Sequence, residues 1–152
     1  MCQINSSPVL AEKVVAYRVY ETMEGLLTPI TVSYYRSSPI TEIGVSVPAW
    51  EAGSPFHAFS SLASAYRWLN FYAKFWQAKG GTTFYSHEYN TISLSLYEVT
   101  LEDKLEQGIW SGQDDGVTTI TGYKLTLVRE LATFVNRQEI LNFLEREDLC
   151  TT

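Results

Sequence analysis

Residues 56–76 read FHAFSSLASAYRWLNFYAKFW, eight aromatic rings and a histidine within twenty-one positions. A serine at position 60 or 61 predicts a helix N-cap, because its side-chain oxygen accepts a hydrogen bond from a first-turn amide that has no partner inside the helix. At roughly 100° per residue, Leu62, Ala65, Leu69, Tyr72, Ala73 and Trp76 fall on one stripe, enough to bury the helix on a sheet. Trp68, Phe71 and Phe75 fall on a flanking stripe, which leaves Arg67, Asn70, Lys74 and Gln77 as a narrow polar arc. The apolar arc is about twice the width that a one-sided surface helix needs. Either the chain's own strands wrap the second stripe, or another protein or a second copy covers it, since exposed aromatic patches of that size mark interfaces. On the second explanation Trp68, Phe71 and Phe75 are the partner-binding residues. Gly80 and Gly81 supply the stop, because glycine adopts the left-handed C′ conformation without steric cost.

Upstream of the helix, Val14–Tyr20 alternates Val15, Tyr17 and Val19 with Ala16, Arg18 and Tyr20, the pattern of a strand. A turn at Glu21–Leu26 and a second alternating run over Thr28–Tyr35 predict a hairpin, with Pro29 placing the second strand near a sheet edge. Ile40–Val47 reads as a third extended segment closed by Pro48, and Ala49–Pro55 as a loop. Downstream, Thr82–Asn90 reads as loop or a short strand. In Thr91–Leu101 the alternation slips at Leu96-Tyr97, which predicts a bulge or burial on both faces, as in a central strand. Glu102–Gln107 reads as one helical turn ended by Gly108, and Ser111–Gly116 as a turn. Val117–Val128 reads as a last long strand. Asn136 with Glu139 three residues on predicts the cap of a C-terminal helix from Arg137 to about Glu147. Strands that cluster instead of alternating with helices indicate an α+β fold. The expected form is a single domain over residues 1–152, with a mainly antiparallel sheet of about five strands packed on one long aromatic helix.

Composition narrows the function. Residues are 45% hydrophobic and 18% charged, values of an ordinary globular chain, and 152 residues can bury a sizeable core. A formal charge of −6 with eleven scattered basic residues argues against nucleic acid as a partner, because phosphate contacts need clustered Lys and Arg. No apolar run is long enough to span a bilayer, and the first residues lack the pattern of a secretory signal, so a cytoplasmic setting is expected. Cys2 and Cys150 form neither a zinc-site nor a redox-pair spacing, and in a reducing cytosol they are expected as thiols.

Chemistry-bearing residues are sparse. His57 and His87, with Glu88 beside the latter, fall short of a metal set, and no cofactor is expected. His57 with Ser60 or Ser61 could pair a base with a nucleophile, but capping alone accounts for the serines. Asp114-Asp115-Gly116 lacks the ligand spacing of a calcium loop and reads as a turn.

Arg18 inside the first strand, Ser60 before the helix and Glu130 after the last predicted strand resemble, in their order, the arginine, serine and glutamate of some ADP-ribosyltransferases. That resemblance implies phosphate contacts for Arg18, a place beside a nicotinamide pocket for Ser60 and a catalytic role for Glu130, although Val128 stands where a second acidic residue would. A broader resemblance, over about Tyr17 to Leu131, rests on YRVY, FHAFSSLASAYRWL, LYEVTL and LVREL. Those segments are similar to small α+β proteins of bacteria and their phages, and this implies a packing arrangement together with host interaction or inhibition of a defence component. The leading expectation is a non-enzymatic interaction or inhibitor module that binds another protein or itself, as a homodimer, through aromatic surface. The alternative is a small ADP-ribosyltransferase-like enzyme or nucleotide-binding protein.

Overall fold

The computed structural model describes residues 3–23, 26–29, 42–49, 55–78, 86–87, 90–91, 93–110 and 117–151. The chain runs β1 (Gln3–Pro8), β2 (Lys13–Met23), β3 (Leu26–Pro29), β4 (Ser46–Pro48), β5 (Phe56–Phe59), α1 (Leu62–Ala78), β6 (Ser86–His87) and β7 (Asn90–Thr91). It continues with β8 (Ser93–Glu102), β9 (Glu106–Trp110), β10 (Thr118–Gly122), β11 (Lys124–Phe134) and α2 (Arg137–Thr151). Eight strands join in the order β1-β9-β10-β5-β2-β8-β11-β4, β3 pairs with β2 beside them, and β6 and β7 form a separate ribbon. All these strand pairs are antiparallel. The fold is thus α+β on one large antiparallel sheet with two helices, but the sheet has more strands than the five that alternation predicts.

The additional strands are short or polar. Phe56–Phe59, expected to lead into the helix, is β5, and the helix begins only at Leu62. Ser61 is its cap, with the Ser64 amide donating to Ser61 Oγ at 3.1 Å. Glu102–Gln107 is not a helical turn: Asp103 and Lys104 both take positive φ, 70° and 51°, and Glu106 already belongs to β9. The last predicted strand divides at Tyr123 into β10 and β11, and Glu130 lies inside β11 instead of after it. The predictions at Gly80-Gly81, Ser111–Gly116 and Cys2, and those that fall on residues 30–41, lie outside the described residues.

Strand β8 is central, flanked by β2 and β11. Its slip at Leu96-Tyr97 is burial on both faces: Leu94 and Leu96 pack beneath the helices, whereas Tyr97, Val99 and Leu101 face the other core. The bulges lie on the partner strand, where β11 shifts register between Leu127 and Arg129 and again between Glu130 and Ala132.

The second core exists because the sheet folds over itself. Strands β10 and β11 are four positions apart in the sheet, which on a flat sheet means about 19 Å, yet one residue, Tyr123, joins them and spans at most about 7 Å. The β1-β9-β10-β5 half therefore crosses one face of the long β2-β8-β11 strands. Phe56, Ala58 and Ile120 meet Ala16, Val99, Leu101, Leu125 and Leu127 there, with Leu105 beneath them. Gly122 sits at the closure: a Cβ on it would lie 2.9 Å from the Glu102 carbonyl oxygen and 3.2 Å from Leu101 Cβ. The Tyr123 amide donates to Glu102 O at 2.9 Å, tying the closure down.

Helices α1 and α2 cover the opposite face. Ala65, Trp68, Leu69 and Ala73 of α1 and Ile140 of α2 pack on Val19, Leu94, Leu96 and Phe134. Asn136 caps α2, its Oδ1 accepting from the Glu139 amide at 2.9 Å. Among the described residues no helix is long and apolar enough to cross a membrane.

Candidate functional site

Among the described residues, polar groups gather at the far end of the folded-over face and at the seam between the helices. The first follows from strand register. Arg18 of β2 stands opposite Tyr97 of β8, which stands opposite Glu130 of β11, so all three project from one face in one cross-strand row. Toward Leu101 that face is apolar; here it becomes polar, with Tyr20, Ser95 and Thr133 beside the row.

Arg18 is only 1% exposed. Its Nε donates to the His57 carbonyl at 2.9 Å, and an Nη1 hydrogen reaches Tyr20 Oη at 2.9 Å. The guanidinium carbon lies 5.2 Å from the Tyr20 ring centre and 5.3 Å from that of Phe56. Nη2 is buried and has no hydrogen-bond partner among the described residues. Burial pushes the Tyr20 hydroxyl above its ordinary range, against the opposing pull of Arg18, so it stays neutral. Burial, with the Arg18 charge adding to it, pushes His57 down to about 4. Among the described residues the groups in contact with this cation, the His57 carbonyl and the Tyr20 and Phe56 rings, carry no charge.

At the other end of the row Tyr97 donates to Glu130 Oε2 at 3.2 Å. Thr133 Oγ1 also donates to the Glu130 carboxylate, and Ser95 Oγ lies 3.1 Å from Thr133 Oγ1. Burial first and the Glu130 charge second raise the Tyr97 hydroxyl above its usual range. The edge-to-face contact of Tyr20 and Tyr97, 5.6 Å between centres, links the two halves. Glu130 and Thr133 are exposed, so the row runs from a buried cation to a solvated carboxylate.

Ser60 is not part of this arrangement. Its Oγ lies 2.5 Å from Thr118 Oγ1, and Thr118 also engages Ser64 through a 3.0 Å bond from its amide. That mesh pins the start of α1 to β10. Neither Ser60 nor Ser61 is hydrogen-bonded to the His57 ring among the described residues, and an imidazole that titrates near 4 is a weak base at neutral pH. The described residues contain no group of three or more His, Cys, Asp or Glu able to hold a metal ion.

The residues expected to bind a partner divide. Trp68 is 6% exposed and covered within the chain, its ring 5.7 Å from Phe59 and stacked 5.0 Å from Tyr72. Phe71 is half-buried, and the Phe75 side chain lies outside the described ones. The concave feature beside α1 lies instead along Ala63, Tyr66, Arg67 and Asn70, facing Leu141, Leu144 and Glu145 of α2. This groove has a volume of about 510 Å³, within the roughly 300–1,000 Å³ typical of binding clefts. Spacing alone put Arg67 and Asn70 on a solvated arc; only the placement of α2 makes that arc one wall of a groove.

No family model matches the sequence, and comparisons with curated proteins and with solved structures find no significant match.

Proposed function

We propose that the protein is a non-catalytic interaction module that takes a segment of another protein into the groove between α1 and α2. The observation that carries this reading is the groove itself, with Ala63, Leu141 and Leu144 as apolar lining and Arg67, Asn70 and Glu145 as polar lining. An apolar lining with a few polar groups that fix orientation is the usual composition of a recognition cleft. The contact surface is thus beside the aromatic helix, as its sequence suggests, but on the shoulder opposite to the one that Trp68 buries.

Selection of displayed peptides on the folded chain tests the proposal. Selected peptides are expected to bind the wild type and to lose at least about tenfold in affinity for Ala63→Trp, whose indole fills the groove. Peptides that bind both proteins equally, or a library that yields none, would refute it.

The ADP-ribosyltransferase-like or nucleotide-binding alternative has one observation in its favour, the shared row of Arg18 and Glu130 on either side of Tyr97. Ser60, held at Thr118, contributes nothing to it.

A further inference from the structure

We propose that Arg18 anchors a site for a small oxyanion, which accepts a hydrogen bond from Nη2. An arginine side chain cannot shed its charge to escape burial, and buried charges are ordinarily paired. Arg18 is 1% exposed, and its acceptors among the described residues are a backbone carbonyl and a phenol, with two ring faces beside it. None of these carries a negative charge. The nearest carboxylate in the row, Glu130, stands two strands away, about 10 Å by sheet spacing, and takes its hydrogen bonds from Tyr97 and Thr133.

The chemistry missing from this cluster is a planar or tetrahedral oxyanion that accepts from Nη2. A guanidinium recognises both carboxylate and phosphate through charge-assisted hydrogen bonds. The flanking rings favour an anion with a flat or apolar remainder, and the enclosure of Arg18 favours a small one. Glu130 at the exposed end would repel a second negative charge, which selects monoanions over dianions. Such a site is independent of the groove between the helices.

Thermal unfolding of the full chain in acetate, in inorganic phosphate and in NAD, each matched in ionic strength with chloride, tests the site. A saturable rise in Tm is expected with acetate, and Arg18→Met is expected to weaken that response by tenfold or more, the loss typical of one hydrogen bond to a charged group. A response stronger in phosphate than in acetate would assign a phosphoryl ligand, whereas one confined to NAD would overturn a site for a small anion. Failure to saturate, or an equal response in Arg18→Met, would overturn the proposal. Should Arg18→Met not fold, ¹⁵N guanidinium resonances of the wild type decide the matter. The slowly exchanging signal of the buried arginine must move saturably with the anion, and if it stays still the site does not exist.

Discussion

At the residue scale the structure sorts the few titratable and hydroxyl groups by burial. His57 is half-buried and titrates near 4 against its ordinary 6.5, because burial and the Arg18 charge both disfavour the imidazolium. The folded chain therefore keeps His57 neutral through a range in which the unfolded chain binds a proton. Stability contributed by the neutral form is fully present above about pH 6.5 and falls as the pH is lowered toward 4. Allowing for solvent screening of a half-buried group, the loss is roughly 1–2 kcal/mol. Urea midpoints of the wild type and His57→Gln at pH 7 and 4.5 measure it. The variant is expected to lose less stability than the wild type across that interval, and equal losses would mean that other groups carry the acid sensitivity. A serine cap at position 60 or 61 could be recognised from sequence alone, because a cap's partner is three residues away, and the Ser64 amide selects Ser61. Ser60 could not be assigned in that way, because its partner, Thr118, is 58 positions away.

At the element scale, legibility follows length and local chemistry. The C-terminal helix was readable because Asn136, Glu139 and the apolar positions after them lie within two turns. Asn136→Ala is expected to lower stability by about 1 kcal/mol, seen as a lower urea midpoint with an unchanged slope, whereas an unchanged midpoint would show that the 2.9 Å bond to the Glu139 amide contributes nothing. Strands β2 and β8 were readable because eleven and ten residues leave room for alternation. Strands β1, β5 and β9 were not, since QINSSP is polar and FHAF and EQGIW are too brief to establish a period. The charges of Glu102–Gln107 favoured a helical turn, but they belong to a reversal in which two consecutive residues take the left-handed conformation. The aromatic helix is the instructive case. Its width of apolar surface was plain in the sequence, but the cover over Trp68 comes partly from Phe59, in a strand whose residues read, in the sequence, as the entry to the helix itself.

At the scale of the whole molecule, the crossing of one half of the sheet over the other sets the second core and encloses Arg18, whose row itself follows from strand register. Its tightest point is Gly122, where a methyl group would press on the backbone oxygen of Glu102 and on the side chains of Leu101 and Leu105. Gly122→Ala is therefore expected to destabilise the chain by about 1–3 kcal/mol, because backbone on one side and buried leucines on the other leave little room to relax. Chemical denaturation measures this, and a variant as stable as the wild type would mean that the closure is looser than its geometry implies. The same crossing brings Phe56 of β5 over Arg18 of β2, a contact that no spacing in the sequence encodes.

Legible in the amino-acid sequence were the α+β class, a serine cap at position 60 or 61, the start of the C-terminal helix, and a slip in the long strand that meant either a bulge or burial on both faces. Each of these depends on periodicity or on hydrogen bonds between residues only a few positions apart. The number of strands in the sheet, the interior place of Trp68, the hydrogen bond of Ser60 to Thr118 of β10, the shared row of Arg18 and Glu130, and the groove between α1 and α2 emerge only in three dimensions. Those outcomes depend on strand register and on the packing of distant segments, and the free energy that selects them is spread over both cores instead of residing in any local motif.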